Sequence, residues 1–131
     1  MSDAYYHCVS SSKAFGGEPN DYYPVHAFID RARDHTHSDY HRIFTHHTMG
    51  VQDAIREFGP TIKVSTGREV PVRLIANQHI MEDLGFIPTP DELITAFHRG
   101  PRGLLKRAHL LMSKAAKILK YSPEQTTTTN N

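Results

Sequence analysis

Histidine is the residue whose number and spacing in this chain most directly suggest chemistry. Ten occur in 131 residues. Five of them, His35, His37, His41, His46 and His47, fall within positions 35–47. Imidazole is the commonest side-chain metal ligand, and it is the group whose ordinary pKa lies nearest neutral pH. A small protein this rich in it is expected to hold a metal, to move protons, or both. Two carboxylates strengthen that expectation. His26 and Asp30 are four residues apart, and so are His79 and Asp83. On a helix this spacing places both side chains on one face.

Imidazole nitrogens combined with carboxylate oxygens suit zinc, iron, manganese or nickel; an oxygen-only site would suit calcium or magnesium. The expected ligands are His41, His46, His47, His79 and Asp83, with Glu82 beside them as the group that moves a proton from a metal-bound water. No His-Glu-x-x-His motif occurs, and the adjacent pair His46–His47 is not a His-Asp pair. For His35, His37, His98 and His109 the ordinary reading is a solvated or hydrogen-bonded side chain. Cys8 beside His7 could serve as an activated thiol. Ser10 to Ser12 with Lys13, Gly16 and Gly17 could cradle a phosphate. Both lie in a stretch that reads as loop, and an ordinary loop is the simpler explanation.

The elements that must position these residues read as mostly helical. Residues 1–21 carry Ser10, Ser11, Ser12, Gly16, Gly17, Pro19 and Asn20 and read as an irregular arm. A first helix is predicted over 24–33, with Pro24 in its first turn. A second, longer helix is predicted over 39–58, from an N-cap at Ser38 to the stop at Gly59–Pro60. In that frame His47 falls on the apolar stripe, and Gly50 is an awkward residue that would let another backbone or a ligand come close. Ile62 and Val64, a turn at Thr66–Gly67, then Val70 and Val72 read as a β-hairpin. Helices are predicted over 75–84, closed by Gly85, and over 89–99, opened by Thr89–Pro90–Asp91–Glu92. A last amphipathic helix is predicted over 103–121. Residues 122–131, with four threonines in a row, read as disordered.

Composition sets bounds. The length fits one domain with a real core. The single cysteine excludes an intrachain disulfide and any finger built on two thiolates; a lone thiol suits a reducing, intracellular setting. No window approaches the roughly 20 apolar residues of a membrane span, and no signal peptide is visible, so the expected location is the cytoplasm. The net charge of +1 hides an asymmetry. Residues 1–98 carry eight Lys/Arg against thirteen Asp/Glu, whereas residues 99–120 carry seven Lys/Arg and no acid. A basic segment after an acidic body suggests docking on a protein partner through residues 99–121. Nucleic acid is a weaker alternative, because no aromatic interleaves the basic residues before Tyr121. A homo-oligomer stays open.

Several pieces together carry a resemblance. They are Ser11-x-Lys13-x-Phe15-Gly16-Gly17, His46-His47-x-x-Gly50, Phe58-Gly59, Val70-Pro71-Val72-Arg73-x-Ile75, and Gln78-His79-x-x-Glu82-Asp83-Leu84-Gly85-x-Ile87-Pro88-Thr89. Over roughly residues 7–98 the chain resembles a family of small proteins of unknown function from bacteria and bacteriophages. The resemblance implies a bacterial or phage origin, with the host cytoplasm or the virion as the location of a phage protein, and favours residues 46, 47, 79 and 83 as a shared site. It implies no activity.

The sequence reading is thus a mostly helical α+β protein of four to five helices and one small hairpin. Residues 1–98 form a histidine-rich domain, 99–121 a basic amphipathic helix, and 122–131 a disordered polar tail. The expected function is metal binding, extending to metal-dependent hydrolysis of a phosphoester or nucleotide. The alternative is a non-enzymatic phage structural or host-interaction module with a structural metal or a histidine core, docking through its basic helix.

Overall fold

The computed structural model describes residues 4–36 and 40–98. The expected basic helix and polar tail, with His37 and His109, lie outside the described residues. Within them are six α-helices: α1 (Ala4–Phe15), α2 (Pro19–Ile29), α3 (His41–Thr45), α4 (Thr48–Phe58), α5 (Val72–Leu84) and α6 (Pro90–His98). A 3-10 turn, Arg31–His35, follows α2. Strands β1 (Thr61–Lys63) and β2 (Glu69–Pro71) make an antiparallel hairpin. The mostly helical α+β class is as expected, and Ile62 pairs with Val70 in the predicted hairpin.

Helix α1 replaces the expected irregular arm. Its serines are weak helix formers because their hydroxyls compete for backbone groups. Ser11 instead spends its hydroxyl on two distant side chains, Gln78 and His26. His7, Cys8 and Ser11 are its buried face, which packs on α2 and α5. Tertiary contact therefore holds a helix that local propensity does not favour. The helix stops at Gly16 and Gly17, whose φ values of 89° and 75° are easy only for glycine.

Helix α2 begins at Pro19, five residues before the expected start. Pro19 suits the first turn, and the Asp21 carboxylate accepts from the Glu18 N–H at 2.7 Å. Pro24 lies inside the helix, where it forgoes one backbone bond. Helix α6 has the expected start. Thr89 Oγ1 accepts from the Glu92 N–H at 3.3 Å, and Glu92 Oε1 accepts from the Thr89 N–H at 2.9 Å.

The single helix predicted over 39–58 is two helices. The chain turns at His46 and His47, and His47 has extended φ and ψ of −159° and 178°. Gly50 permits the turn: a Cβ there would overlap the Thr45 carbonyl oxygen and lie 2.6 Å from its carbon. The close approach expected at Gly50 is thus made by the protein's own backbone.

Helix α5 is central. It packs against α1, α2, α4 and the hairpin, and it buries Val72, Ile75, Ala76 and Ile80 around its turns. Tyr22, Val25 and Ile29 of α2, Val51 and Ala54 of α4, and Leu93 of α6 complete the apolar core. At the C-terminal end of α5 the buried surface changes from apolar to ionisable. Among the described residues, no helix is long and apolar enough to cross a membrane.

Candidate metal centre

Five imidazoles surround two carboxylates where α1, α2, α3 and α5 meet. Helix α5 supplies His79 and Asp83 on one face, one turn apart. The end of α2 supplies His26 in its last turn and Asp30 as its C-cap. His46 comes from the corner after α3, His41 from the start of α3, and His7 from α1. His7, His26, His46 and His79 are each fully buried. The side chains of Asp30 and Asp83 are 10% and 3% exposed.

One donor atom from each of Asp30, His46, His79 and Asp83 lies within 4.8 Å of the other three. The short edges run round the group. His46 Nε2 is 2.8 Å from Asp83 Oδ2, which is 3.3 Å from His79 Nε2. His79 Nε2 is 3.2 Å from Asp30 Oδ1, which is 3.5 Å from His46 Nε2. Ligands about 2.0–2.2 Å from a tetrahedral ion are about 3.3–3.5 Å from one another. The four edges are short enough for one ion to reach all four donors, and the two carboxylates match the charge of a divalent cation.

The electrostatics fit the same reading. Burial opposes ionisation of Asp83, but the neighbouring imidazoles of His46, His7 and His79 outweigh it and hold the carboxyl well below its usual range. Burial likewise opposes ionisation of Asp30, and His41 and His79 outweigh it. Two carboxylates less than 4.8 Å apart repel by about 3–4 kcal/mol at an effective dielectric of about 20. Such a pair in a protein interior calls for a cation or a proton between its members.

The remaining polar groups surround this core. His79 Nδ1 meets His26 Nδ1 at 2.9 Å, and His26 Nε2 meets Ser11 Oγ at 2.8 Å. Thr45 Oγ1 is 3.0 Å from His46 Nδ1. The His7 ring stacks on His79, centroids 3.8 Å apart. His7 Nδ1 reaches Glu82 Oε1 at 2.7 Å. Its Nε2 approaches Asp83 Oδ1 at 3.2 Å without the alignment of a hydrogen bond. Burial lowers the His7 pKa, but Asp83 and Glu82 outweigh it and the net shift is upward.

Of the residues expected from sequence to form the site, His46, His79 and Asp83 converge. His41 sits at the rim, its Nε2 3.7 Å from Asp30 Oδ1. Glu82 is outside the four-atom group and pairs with His7. The structure places His47 elsewhere: its Nδ1 accepts from the Gly50 N–H at 3.1 Å and its Nε2 donates to the Ile43 carbonyl at 2.9 Å. Nδ1 caps α4 and Nε2 bonds back to α3, so both nitrogens are engaged away from the centre, and His47 corrects the expectation that it points to the metal. The expected ligand set omitted Asp30. Its spacing from His26 was a visible signal, but the carboxylate, rather than the imidazole, of that pair faces the centre. His7 and Ser11 carried no such signal, because the arm read as a loop.

The titrations give the metal-free protein a definite acid response. Burial and the neighbouring His79 push His46 down to about 4, against an ordinary 6.5. Burial, His79 and His7 push His26 down to about 2. Below pH 6.5 the unfolded chain takes up protons that the fold refuses, so stability falls with falling pH, by about 1.4 kcal/mol per unit for each histidine. His46 contributes between pH 6.5 and about 4, and His26 continues below that. The two carboxylates add to the loss only below their unfolded value of 3.8. His7, shifted upward, has the opposite sign, and its contribution is lost only above pH 6.5. Urea midpoints of metal-free protein should therefore drop steadily from pH 6.5 to 4.5; a flat midpoint would contradict these assignments.

The model of a family described as a domain of unknown function, DUF6915, matches residues 2–101, and the chain belongs to that family. No characterised protein and no solved structure matches the chain.

Proposed function

We propose that this member of the DUF6915 family is a divalent-metal protein, with one transition-metal ion held by Asp30, His46, His79 and Asp83. The observation that carries this reading is the convergence of two imidazole Nε2 atoms and two carboxylate oxygens within 4.8 Å in a buried site. The nitrogen donors favour a transition metal over magnesium or calcium. The mixed set of two imidazoles and two carboxylates makes zinc the first candidate, with iron, manganese and nickel the others. Four protein donors fill a tetrahedron, and such a closed, buried set supports a metal that is part of the fold. It would tie the end of α2 and the α3–α4 corner to α5.

The test is the metal content of tag-free protein by plasma mass spectrometry. About one equivalent is expected, lost in His79→Ala and retained in His47→Ala, which removes the α4 cap and the bond to the Ile43 carbonyl and lowers stability by about 1–2 kcal/mol. Wild-type protein that stays metal-free after reconstitution would overturn the proposal.

A second reading, metal-dependent hydrolysis, is favoured by the His7–Glu82 pair. The Glu82 side chain is 24% exposed, and His7 spans from it to Asp83. A metal with an additional water position would acidify that water, and Glu82 and His7 would carry its proton outward. A phosphoester or nucleotide substrate and a bacterial or phage source belong to this reading. Zinc-loaded protein that cleaves bis(p-nitrophenyl) phosphate, and loses that activity in Glu82→Gln, would support it. Docking of a partner through residues 99–121 remains a separate proposal, resting on their charge alone.

A further inference from the structure

The hydrogen bonds behind His79 have a direction, and it runs away from the centre. Gln78 Nε2 donates to the His7 carbonyl at 3.1 Å, which fixes the amide so that its Oε1 faces Ser11. Ser11 Oγ donates its one proton to that oxygen at 2.6 Å. At its 2.8 Å contact with His26 Nε2, Ser11 must then accept, so His26 carries its proton on Nε2. His26 is fully buried, with Ser11 at one nitrogen and His79 at the other. In its neutral form Nδ1 is bare, and it accepts at 2.9 Å from His79 Nδ1–H. One imidazole proton is now placed on His79 Nδ1. The other nitrogen, Nε2, faces Asp30 Oδ1 at 3.2 Å and Asp83 Oδ2 at 3.3 Å. In neutral His79 a bare lone pair would face two carboxylates, which is repulsive; without metal a second proton on Nε2 bonds to Asp30, and a metal ion takes that proton's place.

We infer that Ser11, acting through His26 and held by Gln78, is a positioning residue that fixes His79 in the tautomer with Nε2 free for metal. The inference rests on the metal reading above, but it makes a statement about tautomers that can be checked without metal. Outer groups of this kind orient a ligating imidazole and raise its basicity, and their removal typically weakens metal binding by about 10–100-fold. Ser11 contributes no donor atom to the centre, lies in a helix that sequence reasoning reads as loop, and is fully buried.

The experiment compares wild type, Ser11→Ala and Ser11→Thr. Cobalt(II) affinity is read from visible absorption, and imidazole tautomers from nitrogen-15 NMR, in metal-free protein at pH 8 and in zinc-loaded protein. The expected result is cobalt binding weakened about 10–100-fold in Ser11→Ala and largely restored in Ser11→Thr, which keeps the hydroxyl. Wild-type His26 is expected to be protonated on Nε2 and bare on Nδ1, with that preference lost in Ser11→Ala. Equal affinity and unchanged tautomers in Ser11→Ala would overturn the inference. So would equal weakening in both variants with the His26 tautomer unchanged, since that marks a packing role. If wild type binds no cobalt, the metal reading fails, and the NMR of metal-free protein still decides: a His26 tautomer independent of Ser11 overturns the positioning role.

Discussion

Replacing Asp83 is expected to have the largest effect of any change at the centre. Its two oxygens serve three imidazoles. Oδ2 is 2.8 Å from His46 Nε2 and 3.3 Å from His79 Nε2, and Oδ1 is 3.2 Å from His7 Nε2. Arg42 Nε is 3.8 Å from Oδ2. Asp83→Ala therefore removes a metal donor and the buried carboxylate that His7, His46, His79 and Arg42 share. Breaking a buried ion pair from one side costs about 3–5 kcal/mol, a large part of the total stability of a domain this size. Asp83→Asn keeps the shape and loses the charge. It should lose metal binding as completely as Asp83→Ala while melting at a higher temperature. Thermal melts with and without zinc check this. Wild type should gain stability with added zinc, by about 4 kcal/mol when free metal is about 1,000 times Kd, and neither variant should gain any. A zinc-dependent shift in Asp83→Asn equal to that of wild type would remove Asp83 from the ligand set.

Gly50→Ala is expected to be as severe, for a steric reason. The new methyl would meet the Thr45 backbone, including its carbonyl oxygen, and no flexible side chain could move aside. The α3–α4 corner must open, at a cost of about 4 kcal/mol or more, the range reserved for such named failures. Thr45 is adjacent to His46, so any variant that folds should hold His46 displaced and bind metal weakly. Gly67→Ala is the control. It has open space around its Cβ and a φ of 91°, so the cost there is only the left-handed backbone, about 1–2 kcal/mol. Circular dichroism melts of the two variants compare them directly. A Gly50→Ala protein as stable as Gly67→Ala, with full metal affinity, would show that the corner is not as described.

These two positions also show what the sequence made legible. The i, i+4 pair on α5 could be read because a single long helix carries both members, and His46 could be read from its cluster. His47 misled because the helix over 39–58 was assumed to be continuous. The residue that caps the start of α4, His47, is an imidazole, which is outside the usual Ser, Thr, Asp and Asn caps; only Gly50 signalled the corner. Helix α1 was illegible for a different reason. Its serines argue for a loop locally, and the contacts that overrule them, from Ser11 to His26 and Gln78, join residues 15 and 67 positions apart. Asp30 was half legible: the spacing marked the pair with His26, but which member faces inward depends on where α2 ends, and that end is set by packing.

The most direct test of the centre is anomalous diffraction from crystals grown with zinc, recorded on both sides of the zinc edge. The expected result is one strong peak bonded at about 2.0–2.2 Å to Asp30, His46, His79 and Asp83, with His47 still capping α4. No peak among these four residues, with zinc bound instead at exposed histidines such as His35 or His98, would contradict the metal centre.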